Sequence, residues 1–125
     1  MELVQTKGAG AKEAWVALFA EDGVIEDPIG PSPLDPAGKG HRGRKAIAAF
    51  WDLAIAPVAL RFDIERSYAC GDEVANVGTI TATAPDGTRT VTEGVFTYRV
   101  NAAGEIAALR AYWEFDKMLA QLARR

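Results

Sequence analysis

The chain has 125 residues, 49% of them hydrophobic and 25% charged, the make-up of one folded domain (1–125) rather than of a disordered or fibrous chain. Fourteen Lys and Arg against seventeen Asp and Glu leave a formal net charge of −3, so no broad cationic field awaits a nucleic-acid backbone or an anionic membrane. Cys70 is the only cysteine. It can form no intramolecular disulfide, and the expected compartment is the reducing cytoplasm; no apolar run resembles a secretion signal or a membrane span.

In chain order, Glu2 to Lys7 offers about one helical turn before Gly8 and Gly10 interrupt it. Ala11, Trp15, Leu18 and Phe19 then share a stripe at helical spacing, which predicts an amphipathic helix over 11–20 that ends near Gly23. Val24 to Asp27 is a brief extended run closed by Pro28, since proline drives its predecessor out of the α region. From Pro28 to Gly43 alternating prolines and glycines predict a long loop, a candidate lid over whatever lies beside Asp27. Ile47, Phe50, Trp51 and Ala54 mark a second helix over 44–55, stopped by Pro57.

Beyond Pro57 the hydrophobic period changes to two. Val58, Leu60, Phe62 and Ile64 alternate with polar residues, and further strands are expected over 73–84, 88–100 and 105–115, separated by Pro85-Asp86-Gly87 and Asn101 to Gly104. A last helix over 116–123 would turn Met118, Leu119 and Leu122 inward. The fold class is therefore α+β, with helices laid on one face of a strongly bent antiparallel sheet and a cavity between them. Thr92, Gly94, Phe96 and Tyr98 share one face of their strand, as do Leu109, Ala111 and Trp113. The opposite face, with Val91, Val95, Ala108 and Tyr112, is a candidate homodimer interface.

One histidine and one cysteine provide no zinc ligand set, and no phosphate loop, dinucleotide fingerprint or nucleophile elbow is present. No metal or organic cofactor is implied. The run Phe19-Ala20-Glu21-Asp22-Gly23-Val24-Ile25-Glu26-Asp27-Pro28-Ile29-Gly30, followed by His41-Arg42-Gly43-Arg44 and later by Gly94-Val95-Phe96-Thr97-Tyr98-Arg99-Val100, resembles ketosteroid isomerases of the NTF2-like (SnoaL-like) superfamily. The resemblance extends from about Lys12 to Trp113. It implies a cone-shaped fold whose apolar pocket takes a steroid or a similar small ligand, and it makes Asp27 the general base that moves a proton along a conjugated ketone. On the residues alone, Asp27 also reads as a strand-end carboxylate accepting backbone hydrogen bonds at an Asp-Pro turn.

The same resemblance exposes departures. The family holds the enolate oxygen with a tyrosine on the first helix and a protonated aspartate on a strand; here that tyrosine would fall at or before Met1, and Phe96 stands at the aspartate position. Three replacements are proposed by placement, Tyr98 through its hydroxyl and Trp51 and Trp113 through their indole N–H groups. Phe19, Phe50, Phe62, Phe96, Leu109 and Trp113 are expected to line the pocket. His41 reads as a loop or helix-start residue, and Arg99 and Arg110 as charges facing away from the pocket. Two functions lead, a steroid Δ-isomerase-like enzyme or a non-catalytic (or residually active) binding protein for a steroid or polyketide-like molecule in the same pocket, with a cyclase or hydrolase of the same superfamily as a third reading of less support.

Overall fold

The computed structural model describes residues 2–123. Two short helices, α1 (Glu2–Thr6) and α2 (Ala11–Ala17), precede strand β1 (Phe19–Glu26); a long loop then leads to β2 (His41–Arg42) and helix α3 (Arg44–Phe50). The remainder is β3 (Ala59–Cys70), β4 (Glu73–Thr83), β5 (Arg89–Val100), β6 (Ile106–Tyr112) and helix α4 (Phe115–Ala123). All six strands form one sheet in the order β2-β1-β6-β5-β4-β3, antiparallel except where β1 runs parallel to β6. The α+β class and the meander β3 to β6 are as the periodicity predicts.

Three local departures matter. The helix expected over 11–20 ends at Ala17, and Phe19 and Ala20 instead open β1. The reason is tertiary: the Ile106 N–H donates to the Leu18 carbonyl at 2.9 Å and Phe19 pairs with Ile106, while an isolated helix this short has little stability of its own. The helix over 44–55 changes pitch after Phe50, where the Ala56 N–H reaches the Trp51 carbonyl at 2.8 Å in a wide π-type turn over Trp51–Ile55. In α4, Met118 and Leu122 line the cavity, Leu122 while still 39% exposed, whereas Leu119 is 44% exposed and does not line it, because a residue one position off the stripe lies about 100° around the helix.

The ladder is irregular beside a pair of facing glycines. Gly78 on β4 pairs with Gly94 on β5, and beside them β3 bulges between Ile64 and Arg66. A Cβ on Gly94 would stand 2.5 Å from the Tyr112 carbonyl, and one on Gly78 would collide with the Asp63 carbonyl, so only glycine permits these close approaches. An extra residue in one strand and two bare rungs beside it increase the local coil and turn the sheet into a trough. The trough is closed at one end by a core of Trp15, Phe19, Ile25, Ile47, Phe50, Trp51 and Ile55. On the convex face Tyr112 and Val91 are exposed and Val95 half-buried, whereas Ala108 is buried. No helix among the described residues is long and apolar enough to cross a membrane.

Candidate active site

Parallel pairing of β1 and β6 sets the site. Glu26 pairs with Arg110, so the two strands finish at the same edge, where Asp27 leaves β1 and Trp113 leaves β6. The Asp27–Pro28 peptide is cis, and the Ile29 N–H donates to the Ala111 carbonyl at 3.0 Å, which fixes the chain just after the aspartate. Strand alternation then places side chains: Ile25, Leu109 and Tyr98 share one rung, and Ala111 and Phe96 the next, all on the concave face.

The Trp113 indole N–H donates to Asp27 Oδ1 at 2.6 Å, a short charge-assisted bond. Burial pushes the Asp27 carboxyl above the usual carboxylate range; the Trp113 donor, and then the positive charge His41 can carry, pull back part of that rise. Burial, together with the Asp27 charge, pushes the Tyr98 phenol up to about 12, so its hydroxyl stays protonated at neutral pH. Among the described residues no protein group hydrogen-bonds that hydroxyl. A carboxylate that wants a proton and a phenol that keeps one thus face the same space.

That space is a cavity of about 390 Å³, within the range of small-molecule sites. Asp27, Tyr98, Trp113, Phe50, Phe62, Phe96 and Leu109 all line it. Its polar wall residues beyond Asp27 and Tyr98 are few, chiefly Thr90 and Thr92 on β5 and Thr88 just before it. Leu34 is the contribution of the Pro/Gly loop. Among the described residues no three His, Cys, Asp or Glu side chains gather as a metal-ion site.

Two expected members lie elsewhere. Phe19 is fully buried beneath Trp15, with ring centroids 4.9 Å apart, and does not reach the cavity. Trp51 packs on the other side of Trp15 at 5.4 Å and borders a separate depression with Gly8 and Lys12, so its indole N–H is not available as a donor in the cavity. Periodicity identified both as buried but carries no measure of depth: Trp15 stands between them and the hollow. Conversely Trp15 itself, Met118 and Leu122 line the cavity, and only their positions on apolar stripes hinted at it.

His41 is in β2 rather than in a loop or at a helix start, opposite Ile25, with its ring 5.0 Å from that of Phe50. Its Nε2 is shielded from solvent and has no hydrogen-bond partner among the described residues. Arg110 pairs with Glu26 at 3.4 Å, paired through a register position that faces away from the cavity.

A family model described as a SnoaL-like domain matches residues 2–109. The chain belongs to the SnoaL-like family. A steroid Δ-isomerase of Nocardioides simplex is 30% identical over 104 residues, covering 83% of this chain and 77% of the relative. Among solved structures, a Δ5-3-ketosteroid isomerase from Mycobacterium sp. is 43% identical with a TM-score of 0.84, over 92% of this chain and 87% of the other. RV0760c of Mycobacterium tuberculosis, in complex with estradiol-17β-hemisuccinate, is 40% identical with the same score, over 92% and 88%. This SnoaL-like domain is thus a ketosteroid-isomerase-like member of the NTF2-like superfamily, with the trough, the half-buried carboxylate and the apolar walls described above.

Proposed function

We propose that the protein is a steroid Δ-isomerase-type enzyme that shifts a carbon–carbon double bond of a 3-ketosteroid through Asp27. The observation that carries this reading is the state of that carboxylate: half-buried at an apolar cavity, raised above its ordinary range, and hydrogen-bonded to the neutral donor Trp113. A raised carboxylate is a stronger base, which suits abstraction of a proton from the carbon between a ketone and an alkene. Trp113 engages Oδ1 and leaves Oδ2 to take that proton; the electron pair moves onto the ketone oxygen as a dienolate. Asp27 then returns the same proton at the far end of the conjugated system, with no net oxidation and no cofactor. Tyr98 is the donor best placed for the developing oxyanion, being protonated and free of protein partners.

A homodimer joined through the convex sheet face belongs to this reading, supported by the exposure of Val91 and Tyr112. So does a role in steroid metabolism in the cytoplasm, supported by the lone free thiol of Cys70. One observation favours a second reading, a steroid-binding protein without turnover: Phe96, at the position where the family resemblance expects an acidic donor, lines the cavity and offers no hydrogen bond. The two separate in one assay. Conversion of 5-androstene-3,17-dione to the conjugated 4-ene, followed by ultraviolet absorbance, is expected for the wild type and absent in Asp27→Asn, with 17β-estradiol binding retained. Binding without conversion in the wild type selects the second reading.

A further inference from the structure

Strand β5 is longer than its neighbour. β6 pairs with Val95 to Val100, so among the described residues the half of β5 from Arg89 to Gly94 has no strand on that side. An open strand edge presents N–H and C=O groups that require partners. Gln121 of α4 supplies both: its Oε1 accepts from the Val91 N–H at 2.8 Å and its Nε2 donates to the Val91 carbonyl at 2.7 Å. One side-chain amide stands in for the missing strand.

The rest of α4 is loosely held. None of its described residues is fully buried, yet Met118 and Leu122 line the cavity. Leu122 is 39% exposed, and Leu53, which lines the cavity from the π-type turn after α3, is 55% exposed. Two cavity-lining leucines on different elements therefore remain in contact with water, as at an apolar mouth. At the start of α4, Phe115 packs on Trp113 at 5.7 Å between ring centroids, and Trp113 holds Asp27. The helix thus joins the carboxylate end of the cavity to its mouth.

We propose that α4 is the ligand gate of this cavity, latched by Gln121 onto the open edge of β5, and that Met118 and Leu122 on it determine which apolar ligands are enclosed. The proposal builds on the ligand-binding reading above. Opening breaks the two Gln121 bonds and carries Met118 and Leu122 away from the cavity; closing restores them and seats Phe115 against Trp113. Because the latch holds the closed state whether or not ligand is inside, its loss accelerates entry and exit together while affinity changes little.

The test is Gln121→Ala in the full chain. Amide hydrogen exchange at Val91 is expected to rise about ten-fold, as two exposed hydrogen bonds are lost. In stopped flow with 17β-estradiol, followed by tryptophan fluorescence, association and dissociation rates are expected to rise by a similar factor, with Kd within about three-fold of wild type. Unchanged exchange at Val91 would overturn the latch; faster exchange with unchanged ligand rates would overturn the gate. A change in Kd carried by dissociation alone would reduce Gln121 to an ordinary structural contact. Should the wild type bind no 17β-estradiol, the steroid reading falls by itself, and entry rates of 1-anilinonaphthalene-8-sulfonate into the same two proteins decide the gate, equal rates overturning it.

Discussion

Replacing Trp113 by Phe removes the 2.6 Å indole bond to Asp27 while keeping an aromatic ring against Phe115. The donor stabilises the charged carboxylate, opposing burial, so its loss makes Asp27 easier to protonate. A hydrogen bond to a charged group contributes about 1.5–3 kcal/mol, and about half of that survives if water enters the space left by the smaller ring. At 1.36 kcal/mol per tenfold, the acid limb of the kcat/KM profile should move to higher pH by about one unit. On the plateau well above that limb, where Asp27 is ionised in both proteins, the rates should lie within a few-fold of each other. The measurement is kcat/KM for 5-androstene-3,17-dione across the accessible pH range. A uniform loss of rate with an unmoved limb would refute the reasoning, for it would mean that Trp113 serves packing and that Asp27 does not set the limb.

Tyr98→Phe, which removes a hydroxyl without a protein partner, should leave stability near wild type but lower kcat by about 10² to 10³ with KM little changed; a variant with full kcat would exclude Tyr98 as the oxyanion donor. Asp27→Asn should raise Tm at neutral pH, because the fold binds the Asp27 proton more tightly than the unfolded chain, and stability falls as pH rises through the window between the two pKa values. That advantage should vanish below the ordinary carboxyl value of 3.8, which thermal melts at several pH values will show. Gly94→Ala places a Cβ 2.5 Å from the Tyr112 carbonyl and 3.1 Å from the Trp113 Cβ. It should cost about 1–3 kcal/mol in urea unfolding and weaken turnover by displacing Trp113; wild-type stability would show that the bend tolerates a side chain.

Local pattern is what the sequence determines here. The period-two runs located β4 to β6 and the start of β3, since alternation follows from the pleat itself, though β3 continues past its bulge to Cys70, and the Asp-Pro step marked the end of β1. The same alternation put Phe96, Tyr98, Leu109 and Trp113 on one face, and the structure gathers all four around the cavity with Asp27. Tertiary contacts decided the rest. Whether Phe19 closes a helix or opens a strand depends on Ile106, distant in sequence, and whether Trp51 meets the ligand depends on Trp15 standing in front of it. The bond from Trp113 to Asp27 needs β1 and β6 side by side and parallel, and the Gln121 latch needs β5 to outrun β6. Periodicity reports which way a side chain points, because that is a property of one segment; how deep it lies and what it touches are properties of pairs of segments, and only the folded chain brings those together.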